Sequence, residues 1–384
     1  MFPFTFHNPT KILFGKGQIA AISREIPADA RVLITYGGGS VRANGVLDQV
    51  RAALSGRTVL EFGGIEPNPT LETLMGAVDL IRRENITYLL AVGGGSVIDG
   101  TKFLALAPFA SGDPWEILSE RQRVDRALPL GCVLTLPATG SEMNSGAVIT
   151  KKAEQAKRVF SSPQVFPRFS VLDPTTTFSL PPRQVVNGVV DAFVHVLEQY
   201  LTYPVAAAVQ DRYAEGLLLT LIEEGPKTLA RLDDFDARSN LMWAACQALN
   251  GLIGAGVPQD WTSHMIGHEL TARFGLDHAR TLALVLPATL SVRKEAKREK
   301  LLQYASRVWG LEAGSDEERI EGAITATRAF FESLGLPTRL SDYDIGPEHI
   351  PALVSALEAH GMKALGERRE ITPEISRKIL ETAL

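Results

Sequence analysis

Of 384 residues only seven are histidine, and three of these, His264, His268 and His278, fall in one segment, HMIGHELTARFGLDH. A fourth, His195, lies in the apolar stretch GVVDAFVHVLEQY, four residues after Asp191. A spacing of four puts Asp191 and His195 on one side of a helix, and His264 and His268 on one side of another. Val189, Val190, Phe193, Val194, Val196 and Leu197 leave the first helix almost no wet face. A carboxylate and an imidazole on such a helix are costly unless paired or bound to a metal. One carboxylate with imidazoles from two places is a ligand set for a divalent metal. The set comprises Asp191, His195, His264 and His278, the last following a break at Gly275. Any one of these histidines alone would read as a hydrogen-bonded core or surface residue, and His7, His349 and His360 are read that way. Glu198, one turn after His195, and Asp260, one turn before His264, are acceptors that could orient a ligand ring, or exposed acids.

A second chemistry is written in glycine. GGGSVIDGTK, Gly93 to Lys102, follows an apolar strand and opens a helix. Gly93, Gly94, Gly95 and Ser96 there would let a pyrophosphate approach the backbone at a helix N-terminus, where N–H groups are free and the dipole is positive. A tight strand–helix turn needs fewer glycines. Asp99, one turn in, could accept from a ribose or an amide, or cap its neighbours. A second GGGS, Gly37 to Ser40, also ends a strand. Many dinucleotide sites place an acid there to hold the adenosine ribose hydroxyls. Gly37, Gly38 and Ser40 offer none, and N–H groups with a hydroxyl would welcome a 2′-phosphate, which favours NADP over NAD. TLPATGSEMNSG, Thr135 to Gly146, sets hydroxyls and glycines at a third strand end. Lys157 could pair a phosphate or be an ordinary solvated lysine.

The elements that must position these groups fall into two halves. Short β-rich runs at 10–15, 31–40, 58–65, 88–96, 130–142, 147–152, 157–162 and 169–174 alternate with helical periods at 47–54, 70–85 and 96–106. That alternation predicts a doubly wound, Rossmann-like α/β domain over residues 1–178. Pro181 and Pro182 sit where a helix would start. From residue 179 to 384 only helical periods follow, which predicts an all-helical domain carrying every metal candidate.

Composition excludes several classes of function. A net charge of −5 gives no reason to expect nucleic acid or an anionic membrane as partner. No apolar run is long enough to span a bilayer. The first residues lack a basic region followed by an apolar core, so no signal peptide is expected. Cys132 and Cys246, two cysteines without metal spacing, fit a reducing cytoplasm.

Taken together, GGGSVIDGTK, TLPATGSE, LDPTTTFSLPP, GVVDAFVHVLEQY and HMIGHELTARFGLDH resemble the iron-containing (metal-dependent, group III) alcohol dehydrogenase family along essentially the whole chain. The resemblance implies a dinucleotide-binding α/β domain followed by a helical, dehydroquinate synthase-like domain, with the site in a cleft between them. It implies metal ligands at Asp191, His195, His264 and His278, and a further histidine, His268, near nicotinamide and substrate. Gly93 to Ser96 would bind pyrophosphate, with Asp99, Thr135, Thr139, Ser141, Ser145 and Lys157 as further cofactor contacts. Most of the family carries an acid about where Gly38 stands, and the loop from Thr139 to Ser145 looks shorter than the common pattern. One carboxylate and three imidazoles suit Zn(2+) or Fe(2+), and the resemblance favours zinc. The expected reaction is reversible hydride transfer between NADP(H) and a small aldehyde or alcohol, in a cytoplasmic homodimer. The same plan occurs in glycerol dehydrogenases and dehydroquinate synthase. A non-catalytic NADP-binding redox sensor is the alternative from a different class.

Overall fold

The computed structural model describes residues 1–119, 122–154 and 156–384. Contacts divide the chain into two compact units, and neither is one run of sequence. The first comprises His7–Pro181 with Leu232–Cys246, and the second Met1–Phe6, Pro182–Arg231 and Gln247–Leu384.

The first unit holds β1 (Lys11–Phe14), α1 (Ile22–Glu25), β2 (Arg31–Tyr36), α2 (Ser40–Ala43), α3 (Val46–Ala53), β3 (Thr58–Phe62), α4 (Leu71–Arg83), β4 (Tyr88–Gly94) and α5 (Gly95–Leu106). β5 (Leu130–Leu136), β6 (Gly146–Lys151), β7 (Ala156–Ser161) and β8 (Phe169–Leu172) follow. Six strands form a parallel sheet in the order β1-β8-β5-β4-β2-β3. β6 and β7 pair antiparallel in a separate two-stranded sheet. Leu89, Leu90, Ala91 and Val92 of β4 are all fully buried, which is why this strand reads as an unbroken apolar run. Alternation then sorts the side chains by face. Leu33, Leu89 and Ala91 join a core with α4 and α5, while Val32, Ile34, Leu90 and Val92 join another with α1 and α3. Helix α4 turns Leu71, Leu74, Ala77, Val78 and Ile81 inward, and its last turn carries Arg82 and Arg83, as the helix dipole favours. The sheet grows one way from β2 to β3 and the other way from β4 through β5 to β8, so the direction reverses between β2 and β4. Ligands of open α/β sheets bind outside the strand ends at such a reversal.

The second unit is helical, with α6 (Pro182–Tyr200), α7 (Ala208–Ala230), α9 (Thr262–Phe274), α10 (His278–Val292), α11 (Arg298–Arg307), α12 (Asp316–Ser333), α13 (Ile350–Ala359) and α14 (Pro373–Thr382). Between α7 and α9, α8 (Phe235–Ala248) places Met242 and Cys246 in the α/β core instead. Every residue of α6 from Val185 to Tyr200 is buried. Helix α9 stops at Gly275, whose φ of 68° is the left-handed conformation that glycine adopts without penalty, and α10 begins three residues on. Ile266 and Leu270 of α9 pack with Leu284, Val285 and Ala288 of α10 against α13 and α14. That packing sets the faces bearing His264 and His278. Among the described residues no helix is long and apolar enough to cross a membrane.

Candidate active site

Helix α6 brings in Asp191 and His195, α9 brings His264, and the first residue of α10 is His278. Asp191, His195 and His264 each offer one ligand atom, all within 4.8 Å of one another and all buried. The Nε2 atoms of His195 and His278 each lie 3.8 Å from Asp191 Oδ1. That is too long for a hydrogen bond. It is close to the roughly 3.4 Å between two ligands of one tetrahedral cation with bonds near 2.0–2.1 Å. Asp191 Oδ1 is buried without a hydrogen-bond partner among the described residues. A buried carboxylate oxygen left so is unfavourable unless a cation takes it. The His195 and His264 rings stack at 4.7 Å, and His278 lies 5.1 Å from His264. Asp191, His195 and His264 thus fit a divalent cation, and His278, outside that mutually close set, shares only the 3.8 Å approach to Asp191 Oδ1.

The ring of His264 is oriented through its Nδ1, which meets Glu198 Oε2. That contact leaves Nε2 as the ligand atom. Glu198 Oε1 accepts from the Ser263 N–H at 2.6 Å. Burial first, and then the charge of Asp260, pushes the Glu198 carboxyl up to about 8. Asp260, the other acid considered for this role, meets Lys297 Nζ through Oδ2 at 2.8 Å and the Thr262 N–H through Oδ1 at 3.1 Å. His268 is buried, its ring 6.4 Å from that of His264 and 5.1 Å from that of His278. Trp261 gives no sign of a role in the sequence. Its indole lies edge-on to His264 at 5.1 Å and to His195 at 6.1 Å, on a backbone with φ 64°.

In the α/β unit, 37–40 and 139–146 follow β2 and β5, and 93–96 is the end of β4 running directly into α5; the three strands are neighbours in the sheet. All three therefore open at the same sheet edge, and the first two flank the reversal of strand order. Register shifts between Gly93 and Gly94. A Cβ on Gly93 would come within 2.6 Å of Val97, and one on Gly94 within 3.0 Å of Leu136, so close packing accounts for these glycines without a ligand. Gly38 differs: a Cβ there would meet nothing within 4 Å, and its φ is ordinary. Ser40 is the first residue of α2. Ser96 Oγ accepts from the Asn68 N–H at 3.3 Å, and Lys157 Nζ donates to Asn68 Oδ1 at 2.9 Å.

Asp99 and Ser141 hold each other. Asp99 Oδ1 accepts from Ser141 Oγ at 2.6 Å, and Oδ2 from the Val148 N–H at 2.9 Å. Beside them lies fully buried Lys102, the last residue of the glycine motif, whose part the motif does not disclose. Its Nζ reaches Ser141 Oγ at 2.8 Å, Asn144 Oδ1 at 2.9 Å and Gly146 O at 2.7 Å. Burial pulls the Lys102 ammonium down to about 8 and pushes the Asp99 carboxyl up. Thr139 Oγ1 accepts from the Ser141 N–H at 3.3 Å, Ser145 Oγ meets Ser161 Oγ at 3.0 Å, and Thr135 is buried at the end of β5.

Two family models match the chain. Residues 9–174 match "Iron-containing alcohol dehydrogenase", and residues 185–384 match "Fe-containing alcohol dehydrogenase family, C-terminal". The chain is 63% identical over 383 residues to the NADPH-dependent aldehyde reductase YqhD of Escherichia coli (strain K12), covering 99% of each chain. It is 41% identical over 387 residues to the probable NADH-dependent butanol dehydrogenase 1 of Bacillus subtilis (strain 168), again covering 99% of each. The crystal structure of E. coli K-12 YqhD superposes with a TM-score of 0.98 at 62% identity, covering 100% of this chain and 99% of that one. The NADH-dependent butanol dehydrogenase A of Thermotoga maritima superposes with a TM-score of 0.96 at 36% identity, with the same coverage. With both halves matched, and with a carboxylate and imidazoles gathered on α6, α9 and α10, the chain belongs to the iron-containing alcohol dehydrogenase family.

Proposed function

We propose that the chain reduces aldehydes to primary alcohols, reversibly, with NADPH as the hydride donor and a divalent cation on Asp191, His195, His264 and His278. The observation that carries this reading is the Asp191 carboxylate, buried with one oxygen lacking a hydrogen-bond partner among the described residues and two imidazole nitrogens 3.8 Å from it. A bound divalent cation supplies Lewis acidity toward a carbonyl oxygen. We take the ion as zinc, with Fe(2+) the alternative that the same donors accommodate. The naming of the E. coli relative as an NADPH-dependent aldehyde reductase supports the substrate class and the cofactor.

The chain's own residues divide the work. Residues 179–384 carry the proposed metal site, where Glu198 fixes the His264 ring so that one nitrogen faces the cation. His268 stands within one ring's reach of His278 and is the proposed proton donor to the product alkoxide. Residues 1–178 carry the proposed cofactor site. There Gly93 to Ser96 at the start of α5 receive pyrophosphate and Gly37, Gly38 and Ser40 the adenosine ribose with its 2′-phosphate. Thr135, Thr139, Ser145 and Lys157 border the same sheet edge, and Asp99 and Ser141 act from beneath by fixing loop 139–146. Both cysteines are buried and free, in keeping with a cytoplasmic protein, proposed as a homodimer.

The test is a panel of aldehydes with NADPH consumption as the readout, run on wild type, Asp191→Asn and His268→Ala, with metal content measured on each. Asp191→Asn should lose metal and turnover but keep NADPH binding. His268→Ala should keep its metal and lose about 10²–10⁴ in kcat. A metal-free Asp191→Asn protein with wild-type turnover would end the metal reading. Cofactor binding without turnover on any aldehyde would favour a redox sensor.

A further inference from the structure

Lys297 is buried with its ammonium surrounded by oxygen. Nζ lies 2.6 Å from Leu201 O, 2.8 Å from Asp260 Oδ2, and 3.0 and 3.2 Å from the two oxygens of Glu367. Burial works against this charge, but the two carboxylates outweigh it and hold the ammonium protonated. No part of the proposed chemistry uses Lys297, and a buried ion pair is poor evidence of stabilisation by itself. What matters is where Asp260 leads.

Asp260 has two oxygens with separate duties. Oδ2 meets Lys297, while Oδ1 accepts from the N–H of Thr262, the first residue of α9, at 3.1 Å, and from the Thr262 hydroxyl. The residue in the N-cap position of α9 is Trp261, which caps nothing with its side chain. The first N–H groups of a helix need outside acceptors. Here Asp260 takes that of Thr262 and Glu198 takes that of Ser263. The Asp260 N–H in turn donates to Glu198 O at 2.8 Å. Two acids therefore hold the first turn of α9, and the third residue of that turn is His264. One acid is anchored by the His264 ring itself and the other by Lys297.

We propose that Lys297 is a positioning residue for the cation site: through Asp260 it fixes the first turn of α9 in the orientation that presents His264 to the cation. This rests on the reading of Asp191, His195, His264 and His278 as the cation ligands. Without the ammonium, the buried Asp260 and the part-buried Glu367 carboxylates lose the charge that pairs them. Asp260 then turns toward water, which takes Oδ1 from the Thr262 N–H and releases the cap. Glu198 then still holds the Ser263 N–H and the His264 ring, but both of its oxygens are engaged and the Thr262 N–H has lost its acceptor.

The experiment loads full-length protein with Co(II), records its visible absorption, and measures affinity by competition with a chromophoric chelator. Lys297→Met should weaken Co(II) binding about 10- to 100-fold, the range for losing a group that orients a ligand. It should also alter the absorption bands, which report coordination geometry, and leave NADPH affinity unchanged. Asp260→Asn keeps an acceptor for Thr262 and removes the charge pair. It should move both readouts the same way by a smaller factor, and it serves if Lys297→Met does not fold. A folded variant of either kind with the wild-type spectrum and an affinity within twofold of wild type overturns the proposal. The His264→Ala protein separates the two readings: if it binds Co(II) as tightly as wild type, the ligand assignment itself fails.

Discussion

At the scale of single residues, Gly38 matters by what it lacks. Its backbone would accept a side chain, and space is open around it. Packing therefore does not demand glycine there, in contrast to Gly93 and Gly94. A carboxylate at this point would lie where the ribose hydroxyls of NADH are held in many dinucleotide sites, and would repel a 2′-phosphate carrying close to two negative charges. Gly38→Asp should therefore fold normally, lower kcat/KM for NADPH by at least about tenfold, roughly 1.4 kcal/mol of transition-state stabilisation, and raise the use of NADH. Ser40→Ala should weaken NADPH alone. Steady-state kinetics with both cofactors decide it, and a Gly38→Asp enzyme that keeps full NADPH preference would show that this loop does not read the 2′-position. Asp99 and Asp260 mark the limit of reading acids from a sequence. Both stand one turn from a functional group, yet their partners, Ser141 and Lys297, lie 42 and 37 positions further along the chain. No periodicity announces such pairs.

At the scale of elements, α9 begins on a strained residue. Trp261 holds φ 64°, a left-handed conformation costing a residue with a Cβ about 1–2 kcal/mol. Trp261→Gly and Trp261→Ala both remove the indole, but only glycine relieves the backbone. In metal-free protein the glycine variant should be the more stable by about 1 kcal/mol in urea unfolding. Equal stabilities would mean that the turn relaxes once the indole is gone. The strain was not legible, because tryptophan is not a residue that signals turns. Most helices and strands were legible, because each buries one face or both and the apolar period records it. The period alone does not show that helix α9 starts at Thr262, because the Asp260–Trp261 turn before it carries no signal. The pairing of β6 with β7 outside the main sheet was not legible, since alternation shows that a strand exists and not which partner it takes. The histidine constellation was legible because histidine is rare here and helical spacing is rigid. The lysines that steady the site, Lys102 and Lys297, look like any other charged residue.

At the scale of the whole chain, the units are interleaved. The α/β unit lacks part of its core until Leu232–Cys246 arrive, since Met242 and Cys246 belong to the cluster beneath α4 and α5. A fragment of residues 7–181 should therefore unfold without a cooperative transition and bind NADPH poorly, as calorimetry and cofactor titration would show. A sharp transition with full-length NADPH affinity would mean that the segment is dispensable. The helical unit carries the same debt at its other end. The Phe2 N–H bonds Gly256 O at 2.9 Å, and a Cβ on Gly256 would touch Phe4. Residues 2–6 thus leave the ribosome about 250 residues before the loop that receives them. At about 5–20 residues per second that is a wait of about 13–50 s. Through that interval Phe2, Phe4 and Phe6 trail from a half-made chain, so the segment is seated only long after its own synthesis, and even then all three rings keep an exposed face.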